Sequence, residues 1–322
     1  MAKVTDDPPA RVAAELADLR DGLDAAIPAR RVDRNLLVAT WNLRAFGGLT
    51  DRWVAGDDDS PKRDLTGLRA IGEVVSRFDV VALQEVRGNL RALRHLLAWL
   101  NRSGDAWGML LTDVTRGRAG NDERMAFLFD TRRVKPSGLA CQLVVPPERD
   151  DIEEDAFGRQ FARTPYACSF YGAGDTFILV TLHVLWGSSP ADRVGELRAI
   201  ANWMAEWAAY EHVFHHNLIA LGDFNIDRRS DPLYEAFTST GLTVPEPLHE
   251  VPRTIFGSPT DKYYDQIAWF AEAQGRVPKL TLVPTGAAGS FDFVGYVHRE
   301  LTRQQLSWRV SDHLPLWVEF AH

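Results

Sequence analysis

The sequence predicts an α/β protein, and three observations carry that reading. Short apolar runs rich in strand formers recur along the chain. Segments with apolar residues at three- and four-residue spacing fall between them. Most of the runs are apolar throughout rather than alternating, as expected of strands covered on both faces.

Taken in order, residues 8 to about 30 predict a helix placed before the main body, because Val12, Leu16, Leu19, Leu23 and Ile27 recur at helical spacing. Pro8 and Pro9 suit its start and Pro28 its end. LLVATWN (36–42) reads as a strand, and Leu65, Leu68, Ile71 and Val75 as a helix. DVVALQEV (79–86) reads as a buried strand, and NLRALRHLLAWL (89–100) as a helix with Asn89 at its N-cap. MAFLF (125–129), TFILVTLH (176–183) and NLIALGDFN (217–225) are further strands, with a long helix at 190–212 between the last two. YDQIAWF (264–270) and HLPLWVEF (313–320) complete the set, while 47–62, 145–160 and 241–262 read as surface loops.

The chain has 322 residues, 45% hydrophobic and 25% charged, with two cysteines. These proportions exclude a disordered chain, a collagen-like repeat and a disulfide-stapled miniprotein. Length alone would suggest about two domains of roughly 150 residues each. No stretch reads as a linker and no fixed-period repeat is present, so the expectation is a helical extension at 1–34 followed by one domain at 35–322. The net charge of −8 argues against a protein that coats nucleic acid through bulk positive charge. Local neutralisation of phosphates by a metal and a few arginines remains open. Of the 36 basic residues only five are lysines, which composition bias explains for most positions; arginine forks beside motifs suit phosphate oxygens.

Cys141 and Cys168 form no CxxC and read as small buried hydrophobes. No apolar run follows Lys3 as in a secretory signal, and no stretch has the length of a membrane span. The expected address is therefore the cytoplasm, with no stable membrane insertion and no protein partner implied.

The chemistry gathers at strand ends, where α/β proteins place their sites. These ends carry Asn42, Glu85, His183, Asp223 with Asn225, Asp265, and Asp312 with His313. Carboxylate and amide oxygens are hard ligands that suit Mg²⁺, Mn²⁺ or Ca²⁺. Two histidines could supply a base for water and an acid for a leaving oxygen, with further carboxylates fixing their tautomers. The set points to metal-assisted attack of water on a phosphorus ester. Any one of these histidines could instead be a hydrogen-bonded core residue, and His95, His215, His216 and His298 are read that way.

The ordered motifs resemble those of the endonuclease/exonuclease/phosphatase family, and within it the deoxyribonuclease I branch, over roughly residues 36 to 320. They are ATWNLRAFGG (39–48), VVALQEVRGNL (80–90), DERMAFLF (122–129), FARTPY (161–166), VTLH (180–183), LGDFN (221–225), YDQI (264–267), VPTGAAGSFDF (283–293) and SDHLP (311–315). Each is weak alone; their order makes the signal specific. The resemblance implies a two-sheet β-sandwich flanked by helices, a four-layer fold. It implies Glu85, Asn42 and Asp312 around a metal ion, Mg²⁺ first, with Mn²⁺ as substitute and Ca²⁺ as a structural ion. It implies His313 as general base oriented by Asp265, and His183 as general acid paired with Glu123. Asp223 and Asn225 would align the water and stabilise the transition state, and Arg44, Arg87 and Arg163 would contact phosphates.

The resemblance therefore implies a metal-dependent phosphodiesterase on nucleic acid, with a DNA endonuclease as the leading form. The alternatives are an enzyme on a small phosphate ester, such as an inositol phosphate or a phospholipid headgroup, and a noncatalytic binding module. Departures bear on the substrate. Asn121 stands where the deoxyribonuclease I branch has a groove-inserting tyrosine, Val184 follows the histidine in place of serine, and Trp186 lies in a longer loop.

Overall fold

The computed structural model describes residues 2–104, 106–116, 120–143, 161–187, 189–210, 217–257 and 262–322. His215, His216 and the whole of the loop expected at 145–160 lie outside the described residues.

The chain opens with helix α1 (Ala10–Ala26), strand β1 (Asn35–Phe46), α2 (Leu65–Val75), β2 (Val80–Arg87) and α3 (Arg91–Leu100). Then come β3 (Trp107–Leu111), β4 (Glu123–Asp130), β5 (Lys135–Gln142), β6 (Tyr166–Gly172) and β7 (Asp175–His183). Next are α4 (Ala191–Ala209), β8 (Leu218–Asp223), α5 (Pro232–Thr238) and the short β9 (Leu242–Thr243). The chain closes with β10 (Asp265–Phe270), β11 (Val283–Ser290), α6 (Arg303–Ser307) and β12 (Leu316–Ala321).

Two mixed six-stranded sheets result, ordered β11-β12-β1-β2-β4-β3 and β5-β6-β7-β8-β10-β9. Alternate residues of β1 explain the layering. Leu36 and Val38 join the apolar core shared with the second sheet. Leu37, Ala39 and Trp41 face the opposite way, into a cluster with α1, α2 and α3. Leu197 and Met204 of α4 and Phe237 of α5 cover the second sheet. Helices therefore flank a sandwich, as the motifs implied.

The N-terminal helix is tied in by more than its apolar stripe. Glu15, only 4% exposed, accepts the backbone N–H of His298 at 2.8 Å. The buried His298 ring in turn meets Asp64 at 3.0 Å, and Asp64 caps α2 through the Gly67 N–H. His298 is structural, as its sequence context suggested. Asn89 is not the N-cap of α3: Leu90 holds that position, and the Asn89 side chain accepts the Arg91 N–H at 3.0 Å one residue earlier. Cys168 is buried, Cys141 is half-buried, and both are free thiols. Among the described residues no helix is long and apolar enough to cross a membrane.

The two sheets repeat one another. Each has a central parallel pair, β1–β2 and β7–β8, flanked by antiparallel neighbours. The matching edge strands β5 and β11 even share a Pro-Ser/Thr-Gly sequence, with register shifts at Pro136/Ala140 and Pro284/Ala288. Their glycines, Gly138 and Gly286, have positive φ angles of 122° and 89°. A fixed-period search misses this repeat because the halves are permuted along the chain.

Candidate active site

The central parallel pairs bring their C-terminal ends together, and four strand ends supply Asn42, Glu85, His183 and Asp223. Two contacts stitch the sheets there. Gln84 Nε2, fully buried, donates to Thr40 at 3.0 Å and across the sandwich to Thr181 at 2.8 Å. Asn42 Nδ2 donates to Glu85 Oε1 at 3.2 Å and across to Asp223 Oδ2 at 3.0 Å. Gly222 permits the close approach of β7 and β8: its φ is 144°, and a Cβ there would lie 2.1 Å from the Leu182 carbonyl oxygen.

Glu85 is aimed by a bulge. Its φ is 58°, and the pairings of β2 shift register on both sides, between Asn42/Phe46 and between Leu83/Val86. Its Oε2 accepts the Ala45 N–H at 2.7 Å. Burial pushes the Glu85 carboxyl up, but His183, the Ala45 N–H, His313 and Arg87 together hold it below the usual range. It therefore stays ionised.

Two histidine–carboxylate pairs flank Asp223. His313 Nδ1 lies 2.7 Å from Oδ2 of the fully buried Asp265. His183 Nδ1 lies 2.8 Å from Oε2 of Glu123, off the line of a hydrogen bond. The two Nε2 atoms reach toward the same acceptor, Asp223 Oδ2, at 3.7 Å and 3.8 Å. Asp223 Oδ1 accepts the Asn225 N–H at 3.0 Å, and Asn225 Nδ2 donates to Val184 O at 2.7 Å. Burial alone would lower the His313 imidazole, yet Asp265, Asp223 and Asp312 raise it well above its ordinary value. Burial pushes the Asp265 carboxyl up to about 6, against the pull of His313.

The internal repeat extends to these groups. Asp265 and Glu123 open the matching strands β10 and β4, and His313 and Arg163 precede the matching strands β12 and β6. Arg163 Nε accordingly lies 3.0 Å from Glu123 Oε2, where the other half has its histidine–aspartate contact.

The structure assembles all twelve of the site residues expected from sequence, but gives several of them other immediate partners. Arg44 pairs with Asp312 at 3.2 Å, donates to Ser307 at 2.7 Å and lies 3.9 Å above the Trp308 ring. Arg87 stands 3.6 Å from both Glu85 and Glu123. Asn42 turns its amide N–H₂ to the carboxylates, while its oxygen accepts the Arg44 N–H at 3.0 Å. Trp186 is 52% exposed and packs on Tyr264 and on Arg193 of α4. Asn121, at the tyrosine position, donates to Glu123 Oε1 at 2.5 Å, so it helps hold the carboxylate beside His183.

Sequence reasoning missed three contributors. Arg63, 3% exposed, donates to the carbonyls of Leu43, Arg44, Ala45, Arg309 and Val310, tying the irregular stretch of β1 after Asn42 to the segment before Asp312. Burial lowers its guanidinium to about 10. Ser311 Oγ donates to Asn42 O at 2.6 Å and accepts the His313 N–H at 3.1 Å. Glu196 of α4 accepts the Leu185 N–H at 3.3 Å, and burial lifts its carboxyl to about 7 against the pull of Leu185, Arg163 and His183. Ser311 lay inside a recognised motif; Arg63 and Glu196 had no local signal.

Among the described residues one carboxylate–histidine set could take a metal. Ligand atoms of Glu85, Glu123 and His183 lie within 4.8 Å of one another. Each acid nearby also has an arginine partner: Glu123 meets Arg87 and Arg163, Glu85 meets Arg87, and Asp312 meets Arg44. Glu85, ionised and partly open, offers the hard oxygen donor that a divalent ion prefers.

Comparison with known proteins agrees with this geometry. Residues 39–313 match the Endonuclease/Exonuclease/phosphatase family. The chain is 28% identical to a deoxyribonuclease of Thioalkalivibrio sp. (strain K90mix), over 89% of this chain and 71% of that protein. It is 25% identical to deoxyribonuclease-1 of Bos taurus, over 88% and 92% of the two chains. Among solved structures, a mannosyl-6-phosphatase of Bacteroides thetaiotaomicron aligns with a TM-score of 0.55 at 18% identity, covering 89% of this chain and all (100%) of that one. D. rerio TDP2 complexed with single strand DNA product aligns with a TM-score of 0.54 at 13% identity, over 89% and 98% of the two chains. At such identities the structural likenesses show the fold.

Proposed function

The chain belongs to the endonuclease/exonuclease/phosphatase family and is a hydrolase of phosphoric ester bonds, and from that premise we propose that it cleaves nucleic acid, as a metal-dependent DNA endonuclease. The observation that carries this reading is the pair of imidazoles whose Nε2 atoms converge on Asp223 Oδ2 at 3.7 Å and 3.8 Å, each backed by its own carboxylate. Hydrolysis of a phosphodiester needs a proton removed from water and a proton delivered to the leaving oxygen, and two oriented imidazoles supply both.

His313 takes the base role. Asp265 accepts from its Nδ1 side, which leaves Nε2 facing the reaction centre and strengthens its proton affinity. His183, held against Glu123, delivers the proton to the leaving oxygen. Asp223 and Asn225 orient the water and the phosphoryl group between the rings. Glu85, with Asn42 and Asp312, would hold the divalent ion, Mg²⁺ or Mn²⁺. When bound, that ion would neutralise charge on the phosphoryl oxygens. Arg87 and Arg163 keep the surrounding carboxylates compatible with an anionic substrate.

DNA as substrate draws support from the deoxyribonucleases among the relatives. A small phosphate ester is the second reading, favoured by the mannosyl-6-phosphatase of similar fold and by the absence of a tyrosine at Asn121. A panel of plasmid DNA, single-stranded DNA, RNA, bis-p-nitrophenyl phosphate, inositol phosphates and sphingomyelin, each with Mg²⁺ and with Mn²⁺, separates them. Plasmid nicking at rates well above inositol phosphate turnover supports the nuclease; the reverse order replaces it with the second reading.

A further inference from the structure

We infer that a basic cleft on α3, next to the catalytic cluster, is a phosphate subsite that holds a nucleic-acid strand away from the scissile bond. This subsite rests on the nuclease reading and deepens it.

The cleft has a volume of about 750 Å³ and begins at Gly88 and Asn89, directly after Arg87. Arg91, Arg94, His95 and Arg124 line it, and no carboxylate does. In a chain of net charge −8, an open cavity walled by three arginines and a histidine, with no carboxylate in its lining, is a local departure from the overall sign. Arg124 connects it to the active site. The same residue lines the small cavity formed with Glu123, Arg163 and His183. Its Nε has no hydrogen-bond partner among the described residues. Arg91 is committed to Asp51, and Arg124 reaches the exposed Asp113 at 3.6 Å. The Arg94 side chain is exposed and has no hydrogen bond or ion pair with any described residue.

The helix adds to the field. The first turn of α3 contains no acidic residue, and Leu90 at its N-cap gives no side-chain bond. Arg91 and Arg94 thus add cations to the positive end of a helix dipole. That placement is unfavourable in the free protein and becomes favourable once an anion sits among them. A phosphate in the reacting position would lie beside Glu85 and Arg87. The cleft starts at the residue after Arg87, so a ligand filling both must carry phosphates in series. A polynucleotide strand does; a single small ester does not.

The test compares Arg94→Ala, Arg94→Glu and the double variant Arg94→Ala/His95→Ala with wild type on two substrates. Thermal melting confirms folding, which an exposed position on a helix should retain. On long duplex DNA, kcat/KM should fall about tenfold for Arg94→Ala and further for Arg94→Glu, mainly through KM. The slope of log binding against log salt should shrink by about one for each phosphate that is no longer neutralised. On bis-p-nitrophenyl phosphate, rates should stay within twofold of wild type. Equal losses on both substrates, or no loss on DNA, overturn the subsite while leaving the nuclease reading intact. A wild-type enzyme that turns over the small ester but cleaves no nucleic acid overturns the nuclease reading, and the subsite with it.

Discussion

Replacing Glu196 by glutamine should stabilise the protein in a pH-dependent way. The Glu196 carboxyl sits at about 7 in the folded chain against 4.5 for an unperturbed glutamate, chiefly through burial under the segment after His183. A proton held more tightly in the folded state contributes stability that is complete below about pH 4.5. That contribution is lost as pH rises to about 7. At roughly 1.4 kcal/mol per pH unit, the ionised carboxylate costs the fold about 3.5 kcal/mol above pH 7. The residue is only half-buried by surface exposure, and solvent at its open edge reduces this to about 2 kcal/mol. Glutamine keeps an acceptor for the Leu185 N–H and carries no charge. Urea denaturation of Glu196→Gln and wild type at pH 5, 6, 7 and 8 should give nearly equal stabilities at pH 5 and a growing advantage for the variant toward pH 8. A difference that does not vary with pH would show that burial does not perturb this carboxyl.

Other outcomes follow from the site. His183→Ala and His313→Ala should each lower kcat by about 10²–10⁴-fold with an unchanged circular dichroism spectrum; near-native rates would remove the acid–base roles. EDTA should abolish turnover and Mg²⁺ or Mn²⁺ restore it, so activity that survives chelation would contradict the ion assigned to Glu85. Asp265 is the largest of the influences that raise His313, so Asp265→Asn should move the acid limb of the kcat/KM profile to lower pH while kcat falls. A limb that stays in place would show that His313 is not the titrating base.

Most of what the sequence disclosed came from residues that satisfy two demands at once. The central strands β1, β2, β7, β8 and β10 are apolar because they are buried on both faces, and each carries a polar candidate site residue at one end, Asp265 at the start of β10 and the others toward the strand's close. Both signals survive in a single sequence. The edge strands β5 and β11 carry neither: KPSGLACQ and VPTGAAGS are largely exposed, and each contains proline and glycine. The candidate site residues were legible as a set, and so, through the family resemblance, were the His313–Asp265 and His183–Glu123 pairs, but the partners of the arginines were not. Arg44 meets Asp312 between neighbouring strands of one sheet, and Arg163 meets Glu123 across the sandwich, so neither contact is local in sequence. Arg63 illustrates the limit most clearly. Its five carbonyl partners come from two segments far apart in the chain, and no local pattern marks a cation whose work is to gather backbone oxygens.

The most direct test of the central claim is the nicking of supercoiled plasmid DNA in Mg²⁺ by wild type, Glu85→Gln and His183→Ala under identical conditions. Wild type should convert the plasmid to open circles, and both variants should leave it supercoiled over the same time. Intact plasmid with wild type, or equal nicking by all three, would contradict a metal-dependent nuclease built on these residues.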